Sequence, residues 1–106
     1  MEAERMERPN ILLILTDQLR KTGLGCYGNP DVQTPVLDAL CRDGLRFDNS
    51  VSSAPVCAPY RTTLQSGLYP HQHGVRGNGD LFSPCFKGLA EYFNEAGYET
   101  CFVGKS

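Results

Sequence analysis

The sequence has little of what a nucleic-acid-binding, membrane or exported protein needs. Its 106 residues have a formal net charge of −2, which gives no electrostatic attraction for nucleic acid or for an anionic membrane. The longest apolar run, Ile11 to Leu15, is far shorter than the roughly 20 residues of a transmembrane helix. The first ten residues are charged and lack the apolar core of a signal peptide. We therefore expect a cytoplasmic protein with neither nucleic acid nor membrane as a partner.

The five cysteines do not form a recognisable framework. Their number is odd, and no two of them are spaced as in a zinc knuckle. A disulfide framework and a structural zinc site are therefore disfavoured, and a reducing compartment is favoured. The hydrophobic fraction of 41% is ordinary for a globular protein and argues against disorder.

What the sequence does have is a short segment that places a nucleophile beside positive charge. Cys57 comes just before Pro59, and Arg61 follows. Pro59 suits the first position of a helix, since its missing N–H costs nothing there, and Gly67 suits the helix end. We predict a helix over residues 59–66, with Cys57 at an amino end where free N–H groups and the helix dipole favour negative charge. Arg61 then lies in the first turn and can face the same anion.

The first predicted strand is followed by two side chains that bear oxygen. Residues 10–16 include a continuous apolar run, which is typical of a strand buried on both faces of a parallel sheet. A buried helix is the alternative, but the run is short for one. Asp17 and Gln18 follow directly, at the carboxyl end of the strand, where open α/β sheets bind ligands. Both offer hard oxygen donors that suit Ca²⁺ or Mg²⁺.

Two further helices are predicted. Thr34 followed by Pro35 suits a helix start, and Gly44 suits its end. Residues 83 and 84, a serine and a proline, suit the start of the other helix, and Gly97 its end.

The remaining segments complete an alternating order of strands and helices. Residues 45–51 and 99–103 are predicted strands, residues 23–30 and 69–80 are predicted loops, and residues 1–8 are predicted to be a flexible terminus. This order favours an α/β sandwich with a largely parallel sheet. Because a parallel strand needs neighbours and covering helices, we interpret the chain as the amino-terminal part of a longer domain.

Several segments, taken in order, resemble the sulfatase family. Residues 57–67 resemble its Cys-x-Pro-x-Arg signature, which is followed by a Leu-x-Ser/Thr-Gly-type ending. Residues 8–18, 69–75 and 97–105 also match the course of the family. The resemblance implies that residues 9–106 are the amino-terminal part of a sulfatase-like catalytic domain. The fold that it implies is the alkaline phosphatase-like α/β sandwich.

The resemblance also implies a metal-dependent hydrolase of small-molecule sulfate esters. In the family, a formylglycine-generating enzyme oxidises the signature cysteine to formylglycine, whose hydrated aldehyde is the nucleophile. Carried over to this chain, Cys57 is the nucleophile. With Asp17 and Gln18 it is also a ligand of Ca²⁺, for which Mg²⁺ or Mn²⁺ is the alternative. Arg61 and Lys105 are the catalytic cations.

Two departures from the family leave the substrate and the activity open. Many sulfatases have two aspartates where this chain has Asp17 and Gln18. The Asp-Gln form resembles a branch that includes phosphonate and phosphate ester hydrolases. Asn78 resembles an asparagine that contacts the substrate in that branch, although a turn-forming role suits Asn78 equally well. Further metal ligands of the family, and a histidine that follows the position of Lys105, have no counterpart in the 106 residues. We therefore expect no turnover from this chain alone, and a truncated, non-catalytic product is the alternative to an enzyme.

The candidates also have structural interpretations. An unmodified Cys57 outside its context would be a small buried apolar residue, and Arg61 and Lys105 would be solvated charges. His71 and His73 are close together in a predicted loop, which fixes no metal geometry without other ligands. We expect both histidines to be structural.

Overall fold

The computed structural model describes residues 8–82 and 85–105. The chain forms two compact units; the first ends at Arg46 and the second begins at Phe47. The described residues contain four α-helices, which are α1 (Pro35–Asp43), α2 (Cys57–Ser66), α3 (Pro70–His73) and α4 (Leu89–Glu95). Apart from Arg8, the predicted flexible terminus lies outside the described residues, as does the predicted helix start at 83 and 84. None of the helices in the described ranges has the length and apolarity to cross a membrane.

The three predicted strands are absent from the described residues, where no two segments pair as strands. The apolar run within residues 10–16 is exposed, with Leu12 84% and Ile14 74% accessible. A strand needs neighbours for its N–H and C=O groups, and a buried strand also needs a packed layer on each face. The described part of the chain supplies neither, so the predicted sheet does not form within it.

Helix α1, in the first unit, begins and ends where the sequence predicts. Pro35 is its first residue, and the N–H of Gly44 closes its last turn. The side chain of Thr34 makes no capping hydrogen bond to the helix backbone. Its hydroxyl donates to Asp38 Oδ1 at 2.8 Å and accepts the N–H of Gly25 at 2.9 Å. Thr34 therefore ties α1 to the single turn of 3-10 helix at Gly25–Tyr27.

The same 3-10 turn has a second set of contacts. Arg46 Nη1 donates to the carbonyl oxygen of Cys26 at 2.6 Å, and its guanidinium lies 5.3 Å from the ring centroid of Tyr27. Burial, and then a hydrogen bond to Cys41, raise the pKa of the Cys26 thiol. Cys26 is therefore held in its neutral thiol form near pH 7. A further 3-10 turn at Lys21–Gly23 precedes these residues.

The close approach of Gly25 to its polar neighbours gives a test of this packing. A Cβ at position 25 would lie 2.8 Å from Asp38 Oδ2 and 3.1 Å from Thr34 Oγ1, whereas one at Gly23 would meet Leu19 at an ordinary 3.4 Å. We expect Gly25→Ala to lower the free energy of unfolding by about 1–3 kcal/mol through overpacking. Urea unfolding should show a much smaller change for Gly23→Ala. Equal stability of the two variants would contradict the described contacts.

In the second unit, α3 and α4 both contact α2. Helix α3 lies in the segment 69–80 that was predicted to be loop throughout. Its first turn is closed by Gln72 Oε1, which accepts the N–H of Tyr69 at 2.9 Å, and Pro70 occupies the first helical position. These are local helix-start contacts, so the segment forms one helical turn before Gly74.

Helix α4 begins later than predicted, at Leu89. The Glu91 carboxylate accepts the N–H of Gly88 at 2.5 Å, which is the backward half of a capping box. Gly88 itself has extended dihedral angles, so residues 85–88 do not continue the helix toward the chain start. After α4, Phe93 and Tyr98 pack edge to face, with ring centroids 5.3 Å apart.

Candidate active site

Helix α2 begins at Cys57, which is two residues earlier than predicted. Val56 precedes it with extended dihedral angles, and Cys57 is the first helical residue. Pro59 is therefore the third residue of the helix instead of the first. The first four N–H groups of any helix have no partner within it, so the missing N–H of proline costs no bond at this position either. Gly67 ends the helix as predicted, with φ at 71°, where glycine is strain-free.

The amino end of α2 has a partner that the sequence did not reveal. The Oδ1 atom of Asn78 accepts the N–H of Ala58 at 3.0 Å. Because this bond uses the Ala58 N–H, and Pro59 has no N–H, the end of the helix offers fewer free donors than predicted. The helix dipole is unaffected by this bond. Asn78 was predicted to contact substrate, and the structure places its side-chain oxygen on the helix that begins with Cys57.

Asn78 lies in a turn that Asp80 organises. Asp80 Oδ2 accepts the N–H groups of Arg76 and Gly77, at 2.7 and 2.9 Å. These two bonds, first from Arg76 and then from Gly77, lower the pKa of Asp80. The carboxylate is therefore ionised at neutral pH, and its bonds weaken as the pH falls through that lowered pKa. Asp80 was not among the predicted site residues, because an aspartate in a glycine-rich segment indicates only a turn.

His73 joins α2 to the segment after α3. Its side chain is buried, with 2% of the residue exposed, and its Nδ1 accepts the N–H of Val75 at 3.1 Å. Because Nδ1 accepts a hydrogen bond, we assign the ring proton to Nε2, which lies 3.0 Å from Thr63 Oγ1 and donates to it. His71 stacks on Tyr69 instead. Both arrangements agree with the expectation that the histidines are structural.

The structure joins Arg61 to Lys105, and the contact is with the main chain of Lys105. Arg61 Nη1 donates to the Lys105 carbonyl oxygen at 2.7 Å, across 44 residues of sequence. Residues four apart lie on the same face of a helix, so Arg61 shares a face of α2 with Cys57. Three of the predicted residues, Cys57, Arg61 and Asn78, therefore belong to the first turns of α2 or bond to them.

Asp17 and Gln18 lie in the first unit, directly after the apolar run. Gln18 has φ at 55°, in the left-handed region, so the backbone bends there. The described residues contain no group of three or more His, Cys, Asp or Glu side chains arranged to hold a metal ion. Asp17 and Gln18 provide hard oxygen donors of the kind that Ca²⁺ prefers, whereas Ca²⁺ takes about six to eight such ligands. The two residues fit part of such a site.

Cys57, which is half-buried, is the first residue of α2, and Arg61 lies one helical turn further on. This arrangement is typical of a family of hydrolases. Residues 9–106 match the model of the sulfatase family, and the chain belongs to that family. The predicted resemblance is confirmed. The family implies the alkaline phosphatase-like α/β fold, of which the described residues show helices without the sheet.

Similar curated proteins are sulfatases from bacteria and mammals. The chain is 46% identical over 99 residues to an ulvan-active sulfatase of Formosa agariphila, covering 92% of the chain and 19% of that protein. It is 36% identical over 99 residues to an arylsulfatase of Clostridium perfringens, covering 92% and 21%. It is 32% identical over 115 residues to the human steryl-sulfatase, covering 98% and 20%. The chain thus spans about a fifth of the length of these relatives. No solved structure gives a significant match.

The bond between Thr63 and His73 gives a second test. Thr63→Val keeps the branched shape but leaves a buried imidazole nitrogen without a partner, which should cost about 1–3 kcal/mol of unfolding free energy. Thr62→Val is the matched control, because Thr62 neighbours Thr63 in α2 and its side chain is half-buried too. Denaturant unfolding of both variants checks the difference. If Thr63→Val is no less stable than Thr62→Val, His73 does not depend on this bond.

Proposed function

We propose that these residues belong to a protein that hydrolyses small-molecule sulfate esters and that Cys57, after conversion to formylglycine, is its nucleophile. The observation that supports the proposal most strongly is the position of Cys57 as the first residue of α2, in a chain that matches the sulfatase family over residues 9–106. The names of the relatives, among them an arylsulfatase and an N-acetylglucosamine-6-O-sulfatase, support a sulfate ester as the substrate class.

The chain's own residues favour negative charge at this position. The amino end of a helix has the equivalent of roughly half a positive charge, and Cys57 lies directly there. Arg61 adds a permanent positive charge on the same face of α2. The bond from its guanidinium to the Lys105 carbonyl restricts where that charge can move. A sulfate group next to Cys57 would therefore meet a fixed cation and a favourable dipole.

Two groups complete the proposed chemistry. Formylglycine at position 57, made from Cys57 by a formylglycine-generating enzyme as partner, would supply a hydrated aldehyde as the nucleophile toward the sulfur atom. A divalent cation, Ca²⁺ or otherwise Mg²⁺ or Mn²⁺, supplies Lewis-acid stabilisation of negative charge. We assign Asp17 and Gln18 as ligands for that cation, because carboxylate and amide oxygens are the donors that it prefers. Lys105 supplies a further positive charge toward the transferring group.

A phosphonate or phosphate ester is the second candidate substrate class. The observation in its favour is Gln18, which stands where many sulfatases have a second aspartate. An amide in place of a carboxylate lowers the negative charge of the ligand set by one. A less negative ligand set suits a substrate with more negative charge, such as a phosphate monoester.

The modification of Cys57 can be tested directly. In a host that has the converting enzyme, we expect the tryptic peptide with residue 57 to lose sulfur and to react with a hydrazide probe. Cys85 and Cys101, which are both exposed, are internal controls and should keep their sulfur in the same digest. Mass spectrometry of all three peptides provides the measurement. An intact thiol at position 57 in such a host, or sulfur loss at Cys101 as well, would count against the assignment.

The metal assignment makes a separate prediction. Asp17→Asn removes the negative charge of a proposed ligand, so we expect the affinity for Ca²⁺ to fall by roughly tenfold or more. Asp31→Asn, which changes an exposed aspartate in the same unit, is the matched control. Titration calorimetry with Ca²⁺, beside hydrolysis of an aryl sulfate and of an aryl phosphonate, compares the variants. Unchanged Ca²⁺ affinity in Asp17→Asn would remove Asp17 from the metal site.

A further inference from the structure

The peptide group between Cys57 and Ala58 is held by a side chain from far along the sequence. Its N–H belongs to Ala58 and donates to Asn78 Oδ1 at 3.0 Å, across 20 residues. A peptide group is planar, so a bond that fixes its N–H also fixes the direction of the Cys57 carbonyl at its other end. The backbone on one side of the Cys57 α-carbon is thereby oriented by Asn78.

Asn78 is itself held by its own turn, which we define as residues 76–80. Asp80 Oδ2 accepts the N–H groups of Arg76 and Gly77, and the Asp80 N–H returns to the Gly77 carbonyl at 3.3 Å. These bonds close the 76–80 turn on itself with Asn78 inside it. Hydrogen bonds to an ionised acceptor are stronger than neutral ones, so the carboxylate of Asp80 gives the turn its shape.

The chain just before the 76–80 turn is anchored to the same helix. Val75 is 1% exposed, and its N–H donates to His73, whose other ring nitrogen donates to Thr63 in the middle of α2. The segment from His73 to Asp80 therefore meets α2 at two points, Thr63 and Ala58. Two attachments on one helix set both the position and the direction of the segment.

We propose that Asn78 is a positioning residue for the side chain of residue 57 and that Asp80 acts through Asn78. This inference rests on the proposed function, since it assigns the pair to the orientation of the proposed nucleophile. It also gives Asn78 a role different from the substrate contact that the family resemblance suggests. A misplaced nucleophile slows the chemical step, whereas a lost substrate contact weakens binding.

The two roles differ in the effect of a carboxylate at position 78. Asn78→Asp keeps an oxygen acceptor for the Ala58 N–H, and a carboxylate is favourable at a helix start. A carboxylate that faced an anionic ester directly would repel it. Positioning therefore predicts that Asn78→Asp loses less activity than Asn78→Ala, whereas substrate contact predicts that Asn78→Asp is at least as damaging as Asn78→Ala.

The experiment compares Asn78→Ala, Asn78→Asp and Asp80→Ala with Gly79→Ala, where an added Cβ meets nothing within 4 Å. For each variant, made in the whole protein to which these residues belong, kcat and KM are measured on an aryl sulfate and an aryl phosphonate, and kcat is divided by the converted fraction of residue 57. We expect Asn78→Ala and Asp80→Ala to lower kcat by about ten- to a hundredfold with KM nearly unchanged. Gly79→Ala should stay within about threefold of the parent, and Asn78→Asp should lose less activity than Asn78→Ala. The double variant of Asn78→Ala and Asp80→Ala should lose little more than either alone.

A readout that needs no activity separates this inference from the proposed function. In ¹⁵N-alanine-labelled protein, the Ala58 amide should exchange with solvent about tenfold faster in Asn78→Ala than in Gly79→Ala. If the parent hydrolyses neither ester but Ala58 exchange responds, the proposed function fails and the positioning contact stands. Unchanged Ala58 exchange, or a rise in KM at constant kcat, would overturn the inference. Should Asn78→Ala fail to fold, Asp80→Ala makes the same comparison, because it acts on the Ala58 bond through Asn78.

Discussion

A buried imidazole needs a partner at each ring nitrogen, because an unsatisfied polar atom away from water costs about 1–3 kcal/mol. In the second unit His73 finds one partner on α2, at Thr63, and the other in the main chain of Val75. The ring is rigid, so these two bonds fix how far the chain after α3 lies from α2. Asn78 lies only three residues after Val75, so the hydrogen bonds of the imidazole also help to place Asn78 beside Ala58.

The start of α2 shows how orientation and charge are divided between residues. The Ala58 N–H is bonded to Asn78, so it cannot also serve an anion, and Pro59 has no N–H to offer. Positive charge near Cys57 comes instead from the helix dipole and from Arg61. A nucleophile needs a fixed direction as much as it needs nearby charge, since misplacement by an ångström can cost two orders of magnitude in rate. The side chain of Asn78 bonds to the backbone beside Cys57, and Arg61 adds a positive charge on the same face of α2.

Local contacts explain which parts of the fold the sequence could predict. Helix α1 was predicted from Pro35 and Gly44, and the end of α2 from Gly67, because helix bonds join residues only four apart. The start of α4 at Leu89 is fixed by Glu91 and Gly88, a local pair that the prediction from the serine and proline at 83 and 84 did not include. The Asn78 contact spans 20 residues, and no short-range pattern encodes it.

The predicted strands differ from the helices in the same physical respect. Strand bonds join distant segments, so the apolar run within residues 10–16 can favour a strand without forming one, and Val103 is 90% exposed in another such segment. Family membership implies a sheet, and about four-fifths of each relative lies outside the matched region.

The absence of a sheet from the described residues affects some candidate site residues more than others. Cys57, Arg61 and Asn78 are positioned by α2 and its neighbours, which the described residues contain. Asp17 and Gln18 follow a strand-like segment, and a residue at the end of a strand takes its position from the sheet. The surroundings of Cys57 are therefore built by contacts within the described residues, whereas Asp17 and Gln18 follow a segment whose position a sheet would set.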